Sequence, residues 1–369
     1  MKFLILLVLA ALGFYCYQSR EYWLTYWQRV RSIPKTESAA ASGKSEPQPT
    51  STDANAPDEA LFRGDPPIPR EGSFVALLNR FGKAADTEIS EFSEERNFDL
   101  INKILKGGIS PSDRGFAANC VRKMTPRLKL LARLDNCRDF GIDSGVCAIN
   151  TQIPYSQYYT HFVKSMLISV EYNVKYGNRG QGLRDLEFLL RCEKRFLEGA
   201  HSAVLFHNAL GHLDDTLRVF KRLDLSPEER KRIGALFPTR SAYAAALKKA
   251  VHGDAAMVSL SIRMCRQDLQ KVKRYNDSNY AKKVAEILAE LDPQRMRLLG
   301  LAAMNLPLTN FRLGKPVGEP VIPPQASRTE IAVLQEFLLL SVSSCDKRVR
   351  EQEEYFSANG IVCGGEAAQ

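Results

Sequence analysis

The chain of 369 residues is 44% hydrophobic and 25% charged, enough to bury one sizeable core or two small ones. Its formal net charge of +9 is compatible with an anionic partner but does not require one, because a basic surface also serves solubility. Its eight cysteines include no CxxC pair, which leaves zinc ribbons and thioredoxin-type redox centres without support.

The chain begins with "MKFLILLVLAALGFYCYQSREYW", in which residues 3–17 are an unbroken apolar run. At ~1.5 Å per residue the run spans roughly 22 Å, short of the ~30 Å hydrocarbon core, and this length suits a signal peptide. The run lacks well-placed small residues for cleavage, however, and is followed by Trp23, Trp27 and several tyrosines, which prefer the headgroup layer. We therefore predict an uncleaved transmembrane anchor over residues 1–31, with a cleaved signal peptide as the alternative.

The side of the membrane on which the body lies is argued from charges and cysteines. The basic residues after the run would keep the body in the cytoplasm under the positive-inside rule. Two cysteine pairs indicate an oxidising compartment instead, since each pair is spaced to close a small disulfide loop, unless the cysteines are merely small buried side chains. We predict a single-pass inner-membrane protein with a periplasmic body, the cytoplasm being the alternative. The candidate disulfide residues are Cys137, Cys147, Cys345 and Cys363.

Residues 32–73 differ from the rest of the chain. The segment "SAAASGKSEPQPTSTDANAP" contains no apolar residue larger than alanine, so it cannot bury enough surface to offset its ordering entropy. The prolines of "GDPPIPREG" favour extended backbone. We predict a disordered linker over residues 32–73, which tethers a helical domain over residues 74–369.

The domain after residue 74 shows helix signals and no convincing run of alternating strands. Ser226 with Glu229, and Ser327 with Glu330, have the spacing of capping boxes at helix starts. These signals predict an all-α fold of antiparallel helical hairpins. In "PYSQYYTHFVKSMLISVEYNVKYG" the apolar residues at helical spacing, expected to face the core, are Phe162, Val163, Met166, Leu167, Val170 and Val174.

Prolines mark one further predicted helix start and one interruption. Thr125 is predicted to be an N-cap, with Pro126 at the first helical position, where its missing N–H costs nothing. Residues 305–328 hold five prolines and little helical periodicity, which predicts an ordered strap across the helices. The apolar side chains expected to pack beneath it are Leu308, Phe311, Leu313, Val317, Val321 and Ile322.

Two segments thirty-four residues apart are alike, and Leu183 and Arg184 of "YGNRGQGLRDLEFLL" match Leu217 and Arg218 of "LGHLDDTLRVFKRL". Over residues 155–230 the chain therefore resembles tetratricopeptide helical hairpins, whose repeat has this period, with two unrelated hairpins as the alternative. The resemblance implies a concave groove that holds another polypeptide. The candidate groove residues are Tyr176, Arg184, Arg218 and Phe220.

The stretch from residue 240 to 283 is rich in lysine and arginine and carries few acids. A solvated helix face explains this composition, and contact with anionic lipid headgroups or, less readily, nucleic acid is the alternative. The candidate contacts to an anionic surface are Arg263, Arg266, Lys271, Lys273 and Arg274.

No motif for catalysis is found. His201, His207 and His212 lie close in sequence, but without an HExxH pattern or a pair at three- or four-residue spacing they do not predict a metal site. Adjacent carboxylates such as Asp214-Asp215 do not face each other on a helix. We predict no catalytic, cofactor-binding or metal-binding residue, and a non-enzyme is favoured.

Together these features predict a membrane-anchored helical interaction or scaffold protein of the bacterial envelope that binds a protein or peptide partner. The arrangement of anchor, linker and helical domain resembles uncharacterised bacterial membrane-anchored helical proteins, which implies no particular activity. The alternatives are a helical envelope enzyme, or a domain that docks on anionic lipid headgroups through residues 240–283.

Overall fold

The structure is a computed structural model in which the described part of the chain is helical and contains no strand, which confirms the all-α prediction. Every helix in this part is too short or too polar to cross a bilayer. The predicted anchor and almost all of the predicted linker lie outside the described residues, and both stay predictions. The described residues are 71–81, 95–131, 134, 136–137, 140, 154–271, 279–337 and 342–364.

The helices follow one another along the chain with short connections. We number them in order as α1 (74–81), α2 (Glu95–Gly107), α3 (Arg114–Leu131), α4 (Pro154–Tyr176), α5 (Arg179–Gly199), α6 (Ala203–Arg222), α7 (Pro227–Gly234), α8 (Arg240–Lys271), α9 (Asn279–Glu290), α10 (Pro293–Arg312), α11 (Arg328–Phe337) and α12 (Val342–Ala358).

The described residues fall into two compact units. The larger unit comprises Asp65–Cys265 and Glu290–Gln369, and the described residues of the smaller unit lie within Arg266–Ala289. The core of the larger unit is built around α4, which packs against α2, α3, α5 and α6. The apolar stripe predicted on α4 is buried along its whole length, from Phe162 to Val174.

Both predicted capping boxes are confirmed. At the start of α7, the Ser226 hydroxyl accepts a hydrogen bond from the Glu229 backbone N–H at 3.2 Å, and the Glu229 carboxylate accepts one from the Ser226 N–H at 2.9 Å. The same reciprocal pair joins Ser327 and Glu330 at 3.2 and 2.7 Å at the start of α11. These contacts satisfy backbone donors that a helix start leaves without a partner.

The predicted helix start at Thr125 is wrong. Helix α3 runs without a break from Arg114 to Leu131, so Thr125 and Pro126 lie inside it. The Thr125 hydroxyl donates to the carbonyl of Val121, one turn earlier, at 2.8 Å, instead of accepting from the turn that follows. This is the usual bond of a threonine within a helix.

The strap is shorter than predicted, because residues 305–312 form the end of α10 and Pro307 lies inside that helix. Only residues 313–327 are irregular. Two of the six side chains expected to pack do not, since Leu313 is 53% and Val321 55% exposed. Phe311 is fully buried, and Leu308 and Val317 pack against the core in part.

Helix α8 closely approaches the start of α6. The Asp254 carboxylate of α8 accepts the Ala203 backbone N–H with both oxygens, each at 3.1 Å, and so acts as a cap from a distant part of the chain. The approach depends on Gly253, because a Cβ at this position would lie 1.7 Å from the carbonyl oxygen of His201. The two helices are therefore held together through backbone and carboxylate contacts.

The structure does not contain the predicted disulfide between Cys345 and Cys363, which are both thiols. Cys345 lies in the first turn of α12, and Cys363 follows its end. The helix between them is roughly 20 Å long at 1.5 Å per residue, whereas a disulfide needs Cα atoms within about 7 Å. For the other pair, Cys137 is buried and Cys147 lies outside the described residues, so that pairing stays a prediction.

Candidate functional site

One of the four predicted groove residues does not lie on the surface. Phe220 is fully buried and packs against Phe237 and Phe356, so its assignment to a surface groove is wrong. The apolar periodicity of α6 explains this, because Phe220 continues the buried stripe of that helix. Tyr176 is 41% exposed, with the Arg114 guanidinium 4.7 Å from its ring centroid.

The two similar segments do not occupy equivalent places in the fold. Leu183 lies near the start of α5, whereas its match Leu217 lies in the second half of α6. Arg184 and Arg218 are both exposed and bind neighbours on their own helices, Gln181 and Asp215. The geometry therefore does not show tetratricopeptide-like repeats, and that resemblance stays a prediction from the sequence.

The predicted anion contacts in the basic stretch are only partly described. The Arg266 guanidinium donates to the backbone carbonyl of Leu288 at 2.6 and 2.8 Å, at the end of α9, and so caps that helix, while its contact with an anionic surface stays a prediction. Arg263 is half-buried on α8. The side chains of Lys271, Lys273 and Arg274 lie outside the described residues, and their role stays a prediction.

Three buried polar side chains meet where α4, α5 and α6 pack. The Glu193 carboxylate accepts a hydrogen bond from Thr216 at 2.6 Å, and its burial raises its pKa to about 8 despite that bond. His212 contacts the Thr160 hydroxyl at 3.0 Å, and burial lowers its pKa to about 3. The ring of Tyr159 lies 5.3 Å from that of His212. All three are at most 5% exposed, so a substrate does not reach them in this conformation.

Sequence reasoning missed Glu193, although its spacing carries a signal. In "LEFLLRCEKRF" it stands four residues after Leu189 and three before Phe196, on the buried face of α5. The three histidines do not form a site, since His201 and His207 each contact backbone carbonyls near their own positions, of Gly199 and Ala203. Within the described residues no group of side chains is arranged to hold a metal ion.

A cavity of about 490 Å³ lies between the start of α8 and the end of α12. At its wall, Arg240 binds Glu353 and Asp346 and donates to the Phe311 carbonyl, so its guanidinium joins α8, α10 and α12 and is not available to an anionic ligand. Burial raises the pKa of the Cys363 thiol to about 11, which leaves little thiolate for a nucleophilic reaction at neutral pH. The cavity therefore has the character of a helix junction.

Exposed large hydrophobic side chains are concentrated on α10 and the adjoining strap. Of the seven large hydrophobic side chains that are exposed in the described part of the chain, four fall within residues 298–321. Leu298 is 65%, Leu306 51%, Leu313 53% and Val321 55% exposed, and the exposed Ala302 stands between the first two. We call these five residues the α10 face. Exposed apolar side chains that gather on one element favour an interaction site, so this face is the candidate site.

The charged residues of α10 itself are of one sign. Helix α10 has three arginines and no acidic residue in twenty positions. Arg295 binds Glu330 at 2.6 Å, whereas Arg297, Arg312 and the nearby Lys315 have no carboxylate partner among the described residues.

Helix α8 adds positive charge beside Arg297 of α10. Its His252 has a lowered pKa, first because the ring is partly buried and then because Lys248 and Arg297 bring positive charge close to it. The candidate site is thus an apolar ridge with a positive border.

The sequence holds a signal for this site. "PQRMRLLGLAAMNLPLTNFR" is apolar around most of its circumference and has no acid, but its second half falls in the proline-containing stretch that predicts a strap.

A comparison of the chain with family models, with curated proteins and with solved structures finds no match in any of the three.

Proposed function

We propose that this chain is an interaction protein whose helical domain docks on a partner through the α10 face. The observation that carries the proposal is the concentration of Leu298, Leu306, Leu313 and Val321, each more than half exposed, on one helix and its adjoining strap. Apolar surface of this kind gains roughly 25 cal/mol for each Å² removed from water, so covering it drives association. We therefore propose the docking surface on α10 in place of residues 155–230.

The proposal keeps the expected membrane anchor. The apolar run over residues 3–17 and the aromatic residues after it favour attachment of the chain to the bacterial inner membrane. A linker of about forty residues would then allow the helical domain to move within roughly 35 Å of its attachment point. The anchor thus keeps the α10 face near the membrane and near whatever is bound there.

Hydroxyl-radical footprinting of the full chain tests this function, because it reports the exposure of individual side chains. Oxidation rates of Leu298 and Leu306 are compared between native membranes and the purified chain on phosphatidylcholine vesicles. Val204, on α6, is the matched control, since it is 64% exposed and apolar but lies outside the α10 face. We expect the two leucines to be protected in native membranes and Val204 to be oxidised equally in both. If Leu298, Leu306 and Val204 are each oxidised at the same rate in native membranes as on phosphatidylcholine vesicles, a docking function is refuted.

A further inference from the structure

We infer that the partner of the α10 face is the headgroup layer of an anionic phospholipid bilayer. In this arrangement Leu298 and Leu306 enter the boundary between headgroups and acyl chains, while the basic border contacts lipid phosphates. This inference rests on the proposed function, and it names the class of partner for the same surface.

The first argument is electrostatic complementarity. Arg297, Arg312 and Lys315 border the face without a carboxylate partner among the described residues, and Lys248 adds positive charge from α8 beside Arg297. Each basic side chain near an anionic membrane surface contributes ~1 kcal/mol to binding. A second copy of the chain fits poorly, because a symmetric contact would place the arginines of one α10 against those of the other.

The acidic groups near the face are few and mostly occupied. Asp292 accepts the Arg295 backbone N–H at 2.6 Å as the N-cap of α10, and Glu330 is bound to the Arg295 guanidinium. Glu290 accepts the Thr329 hydroxyl at 2.8 Å. Glu319 of the strap is exposed and opposes anionic lipid. Hydrogen bonds to neutral donors leave the charges of Asp292 and Glu290 in place, so the four basic side chains Lys248, Arg297, Arg312 and Lys315 exceed the three acids Glu290, Asp292 and Glu319 by one charge.

The second argument is shape. Leu298, Ala302, Leu306 and Leu313 fall within about 80° of arc around the helix and extend over roughly 22 Å along it, and the exposed Arg295 and Thr309 fall within the same arc. The face lies on the exposed side of α10, whereas a protein that recognises a helical peptide presents a groove. No residue of α10 lines the 490 Å³ cavity. A ridge of apolar side chains bordered by basic ones is the form of helix that lies in a membrane interface.

The third argument is rigidity, because the exposed leucines do not belong to a frayed helix end. Arg240 donates to the Phe311 carbonyl at 3.0 Å, in the last turn of α10. Arg350 donates to the carbonyls of Gly314 and Lys315, each at 3.0 Å. Leu313, which lies between these two attachments, is therefore held in its exposed position on the core, and little conformational entropy is lost when the face is covered.

The test uses the full chain with two vesicle preparations, one of phosphatidylcholine alone and one of phosphatidylcholine with phosphatidylglycerol. The apolar N-terminal run would attach the chain to both, so docking is read from footprinting of Leu298 and Leu306 relative to Val204. Insertion of the face by ~5–10 Å should lower the two leucine rates by roughly threefold on the anionic vesicles. On phosphatidylcholine alone we expect no change.

Charge variants separate a specific border from net charge. Replacing Arg297, Arg312 and Lys315 by glutamine should weaken docking of the face on the anionic vesicles by roughly a hundredfold, at ~1 kcal/mol for each basic side chain, so that protection is lost. The matched control replaces three exposed basic residues elsewhere, in the triple variant Arg184→Gln, Lys194→Gln and Arg218→Gln. The control should retain protection, and circular dichroism verifies that both variants are folded.

Each remaining outcome decides between partners. Protection in native membranes but not on phosphatidylglycerol vesicles would assign the face to a polypeptide partner, which overturns this inference and leaves the proposed function standing. Protection in neither sample would overturn both. Equal loss of protection in the two triple variants would show attraction by overall charge, and would also overturn the inference.

Discussion

The backbone N–H of Val321 donates a hydrogen bond of 3.1 Å to the carbonyl oxygen of Ala303. Within a regular helix that carbonyl would accept from the residue four positions later, but this residue is Pro307, which has no N–H. Ala303 is only 2% exposed, so water cannot replace the missing donor. The strap therefore supplies the hydrogen-bond donor that Pro307 lacks. This bond also places Val321 beside the helix as part of the α10 face.

This bond can be tested by a double-mutant cycle. The substitution Val321→Pro removes the donor and leaves a buried carbonyl unpaired, which should lower the free energy of unfolding by about 1–3 kcal/mol. In a Pro307→Ala background the helix supplies its own N–H to Ala303, so the same substitution should cost less. Chemical denaturation of the four proteins measures the coupling, and additive effects would show that the strap bond does not replace the helical one.

Alanine substitution should have opposite effects on stability at two helical glycines, because Gly253 of α8 lies against the loop before α6 whereas Gly211 has no such neighbour. In Gly253→Ala the new methyl group would meet the His201 carbonyl, so the variant should lose about 1–3 kcal/mol of stability. Gly211, inside α6, faces open space, and Gly211→Ala should gain up to about 1 kcal/mol from helix propensity. Thermal unfolding of both variants checks this, and a neutral Gly253→Ala would contradict the packing.

Arg222 holds a buried carboxylate and a helix end together. Its guanidinium donates to Glu171, which is fully buried, and to the carbonyls of Leu105 and Ile104 at the end of α2. Because Arg222→Met removes positive charge that compensates the buried Glu171 carboxylate, it should lower the free energy of unfolding by about 3 kcal/mol. Arg218→Met, on the same helix, removes an exposed ion pair and should cost less than about 1 kcal/mol. Similar losses in the two variants would argue against the buried network.

Glu193 predicts a dependence of stability on pH. Burial raises its pKa to about 8 from an ordinary value of 4.5, so between these values the folded state keeps a proton that the unfolded state has lost. The free energy of unfolding then falls as the pH rises through this window, by up to about 1.4 kcal/mol per pH unit. Above pH 8 the contribution of Glu193 no longer changes with pH. Glu193→Gln lacks the titration, so its stability relative to the native chain should increase with pH.

The exposed Glu354 of α12 provides the control for this titration, since Glu354→Gln should shift the stability curve little at any pH. Denaturation midpoints measured from pH 4 to 9 give the comparison. A constant difference between Glu193→Gln and the native chain across this range would show that the carboxyl group does not stay protonated in the folded state.

The parts of the fold that could be predicted were those set by local chemistry. Ser226 with Glu229, and Ser327 with Glu330, start helices through bonds within four residues, and the stripe on α4 follows directly from helical spacing. Pro307 was misinterpreted because the group that compensates for it, the Val321 N–H, is fourteen residues away. No local pattern reveals such a partner.

The same limit explains the errors at the candidate site. Phe220 was assigned to a groove from a match between two segments, but the packing of α6 against α12 buries it. For Arg266, which is predicted to contact an anionic surface, no local pattern reveals the carbonyls at the end of α9 to which it also donates. Conversely, Leu298 and Leu306 resemble core residues in the sequence, and only the packing of neighbouring helices shows that they are left exposed.

Crosslinking with a photoactivatable phosphatidylglycerol tests the lipid contact of the α10 face most directly. The full chain is bound to vesicles that contain this lipid, irradiated and digested, and the sites in the helical domain are mapped by mass spectrometry. We predict that they fall within residues 298–321 and that Val204 is unmodified. Crosslinks distributed over other surfaces of the domain, with residues 298–321 unmodified, would contradict the account.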